Sequence, residues 1–143
     1  MPSDLFFRGL NTVHRTVLKL SGGRLGRDVA NMPVLELTTT GRKTGRPHTV
    51  VLTSPVRDGD AIVVVASRGG DNHHPAWFLN LRDNPDVEVA LGREPKRPMR
   101  ARVTDPEERA RLWPQVVARY KGYGDYQTRT DREIPLVLLE RRP

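Results

Sequence analysis

Cysteine is absent from this chain of 143 residues, which excludes disulfides, thiolate metal centres, iron–sulfur clusters and cysteine nucleophiles. Long apolar runs are also missing: none approaches the roughly 18 residues that a membrane-spanning helix needs. The first residues lack the compact apolar stretch and cleavage site of a secretory signal, so no export is expected and the cytoplasm is the expected setting. Acidic residues are in short supply, with 17 Asp and Glu against 24 Lys and Arg, for a formal charge of +7. That balance favours anionic partners: nucleic acid, anionic lipid, or a small molecule carrying phosphates and carboxylates. Apolar residues make up 36% of the chain, enough for one modest core in a single main domain.

Residues 4–20 place Phe6, Leu10, Val13, Val17 and Leu20 on one helical face, with Ser3 or Asp4 as N-cap and Gly22-Gly23 as the stop. Arg8, Arg15 and Lys19 lie off this stripe. The helix either packs on the domain or lies on anionic membrane as a peripheral contact. Residues 1–31 are thus expected to form an N-terminal amphipathic helix and linker ahead of a domain at 32–143.

From residue 33 the period becomes that of strands. Val34–Thr39, Thr49–Thr53, Ala61–Ala66, Val87–Leu91, Pro98–Val103 and Ile134–Glu140 are short and mostly rich in β-branched residues. Arg57-Asp58-Gly59-Asp60 and Gly92-Arg93-Glu94-Pro95-Lys96 read as hairpin turns. Pro75–Arg82 and Pro106–Arg119 read as helices, the second opening on Asp105 with Glu108 three residues later, a capping box. Several short strands with few helices predict a mainly β, α+β domain built on an antiparallel barrel.

Three segments carry candidate chemistry. Thr38–His48 sets two glycines, four threonines and three Lys or Arg side chains between two strands, and reads either as an anion cradle or as a solvated basic turn. The GxxxxGK[ST] order of a Walker loop is absent. Val65–Asn80 runs from a buried strand through a glycine-rich loop to a helix start, where unpaired N–H groups favour anions. Trp77 and Phe78 add flat apolar surface there, which serves a planar ligand or simply the core. His73 and His74 are adjacent and therefore point apart, and no HExxH pattern accompanies them, so no metal is expected. The third segment holds all three tyrosines, Tyr120, Tyr123 and Tyr126, at a spacing of three. If one helix continues through them they share a face, either packing as a hydrophobic edge or offering hydroxyls to a substrate. Gly122 and Gly124 suggest a bent, mobile segment.

The segments TTTGRKTG at 38–45, VVVASRGG at 63–70, HPAWFLNLRDNP at 74–85 and YKGYGDYQTRTDREIP at 120–135 resemble, in this order, the deazaflavin-dependent nitroreductase family. That family includes the enzyme that reduces bicyclic nitroimidazole prodrugs. The resemblance covers about residues 32–140 and implies a split β-barrel of the flavin-reductase and pyridoxamine-phosphate-oxidase type. It also implies an 8-hydroxy-5-deazaflavin coenzyme (coenzyme F-420), reduced, as hydride donor to a small electron-poor acceptor such as a quinone, enone or nitro compound. By position, Lys43, Thr44 and Gly45 would hold the phosphate and glutamate tail, continued by Thr49, Val50 and Val51. Val65, Ala66, Ser67 and Arg68 would line the ring and linker, with Ala76, Trp77, Phe78, Leu79 and Asn80 at the helix start and Tyr123 near the ring. Tyr120, Tyr123, Tyr126 and Ser67 match the substrate-side positions and are the candidate catalytic residues. Arg68 replaces a common lysine and Thr44 a common serine, and both keep the donor or hydroxyl.

The expected partners are thus an anionic coenzyme and a small apolar or aromatic substrate, for a monomer or a homodimer. Rival readings are a flavin-mononucleotide or haem-degradation-type split barrel, a non-catalytic deazaflavin carrier, and a nucleic-acid module. Nucleic acid is not expected, because the aromatics cluster rather than interleave with basic residues along a sheet.

Overall fold

The computed structural model describes residues 28–29 and 32–142. The expected helix at 4–20 lies outside them. Strands β1 (Asp28–Val29), β2 (Met32–Thr40), β3 (Pro47–Thr53), β4 (Arg57–Asp58) and β5 (Ala61–Val65) come first. A 3-10 turn at Arg68–Gly70 leads to helix α1 (Ala76–Asp83), followed by β6 (Asp86–Leu91) and β7 (Arg97–Val103). Helices α2 (Pro106–Arg119) and α3 (Gly122–Thr128) then precede β8 (Leu136–Arg141). The strands form one antiparallel sheet in the order β1-β2-β6-β7-β8-β5-β4, with β3 paired to β2 beside this path. The sheet curls into a half-barrel. Asp28 and Val29, within the expected linker, pair with Pro33 and Met32 instead.

Alternation along the strands separates two cores. Leu35, Leu37, Ile62, Val64, Val137 and Leu139 face the concave side with Trp77, Phe78 and Leu81 of α1. Val63, Val65, Leu136 and Leu138 face the other way, under Leu112 and Val116 of α2 and Tyr123 of α3. Strands β5 and β8 are therefore covered on both faces, which is why AIVVV reads as an unbroken apolar run rather than an alternating one. Edge strand β3 is only partly covered and keeps the mixed sequence PHTVVLT.

Local rules account for most boundaries. Asp105 accepts from the Glu108 N–H at 2.8 Å while Glu108 accepts from the Asp105 N–H at 3.0 Å, closing the expected capping box. Pro75 precedes α1 rather than opening it, and its carbonyl accepts from the Phe78 N–H. The last strand starts at Leu136 rather than Ile134, because Pro135 has no N–H and the Ile134 N–H turns to Gln127 Oε1 at 2.9 Å. The tyrosines do not share one helix. Tyr120 caps α2 in an extended conformation (φ −150°, ψ 107°), and its ring folds over Gly122, where a Cβ would lie 2.7 Å from Tyr120 Cζ.

Candidate active site

The basic segment is the tight turn between β2 and β3. Gly41 donates to the Arg46 carbonyl and Gly45 to the Gly41 carbonyl, both at 2.8 Å. A Cβ on Gly41 would stand 2.6 Å from Thr44 Oγ1, and Gly45 is left-handed (φ +70°), so both glycines are needed for this shape. Arg42, Lys43, Thr44, Gly45, Arg46 and His48 are exposed. Thr44 Oγ1 takes the Arg46 N–H at 3.2 Å and sits 3.3 Å from His48 Nε2. The result is a rigid, solvent-facing cluster of cations.

Asn80 anchors that turn. From the buried face of α1 its Nδ2 donates to Thr39 Oγ1, and its Oδ1 accepts the Arg42 N–H, both at 3.1 Å. Both ends of the amide are engaged within the protein. Thr49 is tied to Thr38, hydroxyl to hydroxyl at 2.8 Å. Val50 packs on the concave core and Val51 is buried. Trp77 and Phe78 are also core residues, 8% and 3% exposed, Leu79 packs against that core, and Ala76 is exposed. The flat surface expected of Trp77 and Phe78 is therefore mostly taken up by packing.

At the end of β5, Val65 faces the helices and Ala66 the concave core. Ser67 then opens the 3-10 turn without capping it through its side chain. Arg68 has φ +47°, a left-handed backbone rare for a residue with a Cβ, and such strain concentrates at functional sites. Gly70 (φ +82°) is pressed against α3, where a Cβ would meet the Tyr126 carbonyl at 2.7 Å.

The tyrosines form a ladder despite the broken helix. Tyr120 and Tyr123 meet edge to face at 5.2 Å, and Tyr123 and Tyr126 at 6.0 Å. Tyr123 is 7% exposed, with its hydroxyl 3.1 Å from Thr53 Oγ1 and near Met32 Sδ. Burial pushes its phenol above the ordinary value, outweighing the Thr53 hydroxyl, so it is protonated at neutral pH. Burial, followed by Tyr120, likewise raises Tyr126, and Arg129 stacks over that ring at 5.6 Å.

The two histidines diverge as expected of neighbours. His73 bonds the Asp71 carboxylate at 3.0 Å, whereas the His74 ring packs on Phe78 at 4.7 Å between centroids and meets Arg132. Burial works to raise the Asp71 carboxyl, but the His73 N–H and ring outweigh it and hold it below the usual range. Among the described residues, no three His, Cys, Asp or Glu side chains gather as a metal site.

These segments close a circuit. The basic turn joins α1 through Asn80, α1 joins the Ser67 loop through His74 and Arg132, the loop joins α3 through Gly70, and α3 returns to β3 through Tyr123 and Thr53. Arg132 and Thr53 were not singled out by the sequence, although Arg132 lies in the DREIP stretch of the fourth resemblance segment. A shallow hollow is lined by Arg109, Trp113, Gln127, Asp131 and Glu133. The Arg109 guanidinium there is bonded to the Ile134 carbonyl and Gln127 Oε1.

Residues 11–141 match the family model described as F420H(2)-dependent quinone reductase. The chain belongs to this family. It is an oxidoreductase that uses the reduced deazaflavin coenzyme as hydride donor. An F420H(2)-dependent quinone reductase of Mycobacterium tuberculosis (strain ATCC 25618 / H37Rv) is 44% identical over 136 residues, 91% of this chain and 89% of that protein. Among solved structures, an F420-H2 dependent reductase is similar at TM-score 0.66 and 40% identity, covering 76% of this chain and 94% of that one. A chain solved as a domain-swapped dimer is similar at TM-score 0.68 and 37% identity, covering 90% and 96%. A Clostridium acetobutylicum protein of the pyridoxinephosphate oxidase family, 12% identical at TM-score 0.52, shares the fold alone. The half-barrel is thus the split β-barrel. No helix among the described residues is long and apolar enough to cross a membrane.

Proposed function

We propose that the closed circuit of the basic turn, the start of α1, the Ser67–Arg68 loop and Tyr123 is where this reductase holds its coenzyme and reduces its acceptor. The supporting observation is that four segments far apart in the sequence meet through named contacts. The acceptor class is a quinone, with enones and nitro compounds as chemically related electron-poor alternatives. When bound, the reduced coenzyme supplies a hydride.

The residues present suit such a group. Lys43 and Thr44, at the left-handed Gly45, offer charge and hydrogen bonds to a multiply anionic tail without burying the cations. Thr49, Val50 and Val51 continue that wall along β3. Val65, Ala66, Ser67 and Arg68 form the side next to the ring and linker, with Ala76, Trp77, Phe78, Leu79 and Asn80 behind. Asn80 acts there by holding the turn, since its amide is already engaged. A quinone that takes up a hydride also needs one proton at its oxygen. The Tyr123 phenol, kept protonated by burial, and the Ser67 hydroxyl, which does not cap the 3-10 turn, are donors within the circuit. Tyr120 and Tyr126 flank Tyr123 and shape the acceptor side.

Titration of the protein with oxidised deazaflavin coenzyme and with flavin mononucleotide, at two salt concentrations, tests this reading. The deazaflavin should bind more tightly and lose affinity with salt, because tail contacts are charge–charge. Lys43→Ala should raise the coenzyme KM roughly tenfold or more with kcat nearly kept, the signature of lost uniform binding. An unchanged KM would reduce the basic turn to a solvated hairpin.

A further inference from the structure

A single guanidinium laces the Ser67 loop together. Arg132, just before β8, donates from Nε to the Asp71 carbonyl at 2.9 Å and from Nη2 to the Ser67 carbonyl at 2.8 Å. Its Nη1 reaches the Ala66 carbonyl and His74 Nδ1, each at 3.2 Å. None of these four partners is a carboxylate. They lie at both ends of the loop that contains Arg68 at φ +47°, so the loop cannot relax toward ordinary backbone without breaking several charged hydrogen bonds.

The same contact settles a proton position. Arginine has donors only, so His74 Nδ1 must be the acceptor, and the ring proton resides on Nε2. A second proton would have to occupy Nδ1, 3.2 Å from a fixed cation. The charged groups acting on His74 are Arg132 and, from α1 itself, Arg82, while Asp71 and Arg68 of the loop act on Arg132. Burial first, then those two arginines, hold the His74 ring below the ordinary histidine range.

We infer that Arg132 is a positioning residue of the reductase site, which locks the Ser67–Arg68 loop in its left-handed shape and fixes His74 as the Nε2–H tautomer. The inference rests on the proposed coenzyme site for its functional consequence, but the tautomer does not depend on that site. His74 then presents one ring donor at the entry to α1, beside a loop whose Ser67 backbone carbonyl is held in place.

The test combines imidazole ¹⁵N spectra of the full-length protein, assigned with His74→Gln, with coenzyme titration of Arg132→Lys. The wild type should show the Nε2–H tautomer at neutral pH. Arg132→Lys cannot span four acceptors, so it should give a mixed tautomer and weaken coenzyme binding about tenfold, the loss of one charged hydrogen bond's worth of order. Lys43→Ala should still weaken binding further in that background. A wild-type ring protonated on Nδ1, or a tautomer untouched by Arg132→Lys, overturns the inference. So does a changed tautomer with unchanged coenzyme affinity, provided Lys43→Ala alone still weakens binding, and in that case the coenzyme site itself stands. If Arg132→Lys does not fold, His74→Asn, whose Oδ1 takes the place of the ring Nδ1 and accepts from Arg132, should keep coenzyme affinity, and His74→Leu should lose it. Equal affinity in those two overturns the inference.

Discussion

Tyr123 and Thr53 stand 70 residues apart in sequence and join hydroxyl to hydroxyl at 3.1 Å, linking α3 to the end of edge strand β3. The contact ties Tyr123 into the fold through the same hydroxyl that is proposed to serve the acceptor. Tyr123→Phe keeps the ring and removes the bond, so it should cost about 1 kcal/mol and lower Tm by roughly 3–5 °C. Single-turnover hydride transfer to a quinone should slow by roughly 10- to 100-fold, the low end of general-acid assistance, because Ser67 or water substitutes in part. Thr53→Val provides the control: a similar loss of stability with transfer kept. Full transfer in the Phe variant would leave Tyr123 as core alone.

Asn80 couples the basic turn to α1, and Asn80→Ala removes both of its bonds. Thr39, which is 1% exposed, then loses its partner in the interior. The variant should lose about 1–3 kcal/mol. The Arg42 amide should exchange with solvent much faster, while amides in the middle of β5 and β8 slow or quicken only with global stability. Exchange measured residue by residue separates the two.

Two left-handed glycines make opposite demands. Gly45 has open space around it, so Gly45→Ala should cost only the backbone strain of about 1–2 kcal/mol. At Gly70 the new Cβ would also drive into the Tyr126 carbonyl, so Gly70→Ala should cost on the order of 3 kcal/mol or more and separate the Ser67 loop from α3. Denaturant melts of the pair check the order, and equal losses would contradict the close approach.

The Glu108 carboxyl is held at about 2, first by the Arg102 guanidinium and then by the Asp105 N–H. A carboxyl lowered on folding stabilises the protein fully above its unfolded value near 4.5, and that contribution fades as pH falls toward about 2. Glu108→Gln keeps the capping box but removes the charge. Its Tm deficit relative to the wild type should therefore be present at neutral pH and shrink through this acid window. A deficit independent of pH would assign it to the cap or to packing.

The sequence by itself determined whatever depends on near neighbours. Short apolar, β-branched runs set the strands, Gly41 and Gly45 set the basic turn, and Asp105 with Glu108 set the start of α2, because each uses atoms within a few residues. The ordered motifs likewise carried the family and its coenzyme. Tertiary structure decided what those pieces do together. The Thr53 partner of Tyr123 lies 70 residues away, and Arg132 reaches back 58 residues to His74. Such contacts depend on which strands the curled sheet lays side by side, and no local pattern of residue types records that path.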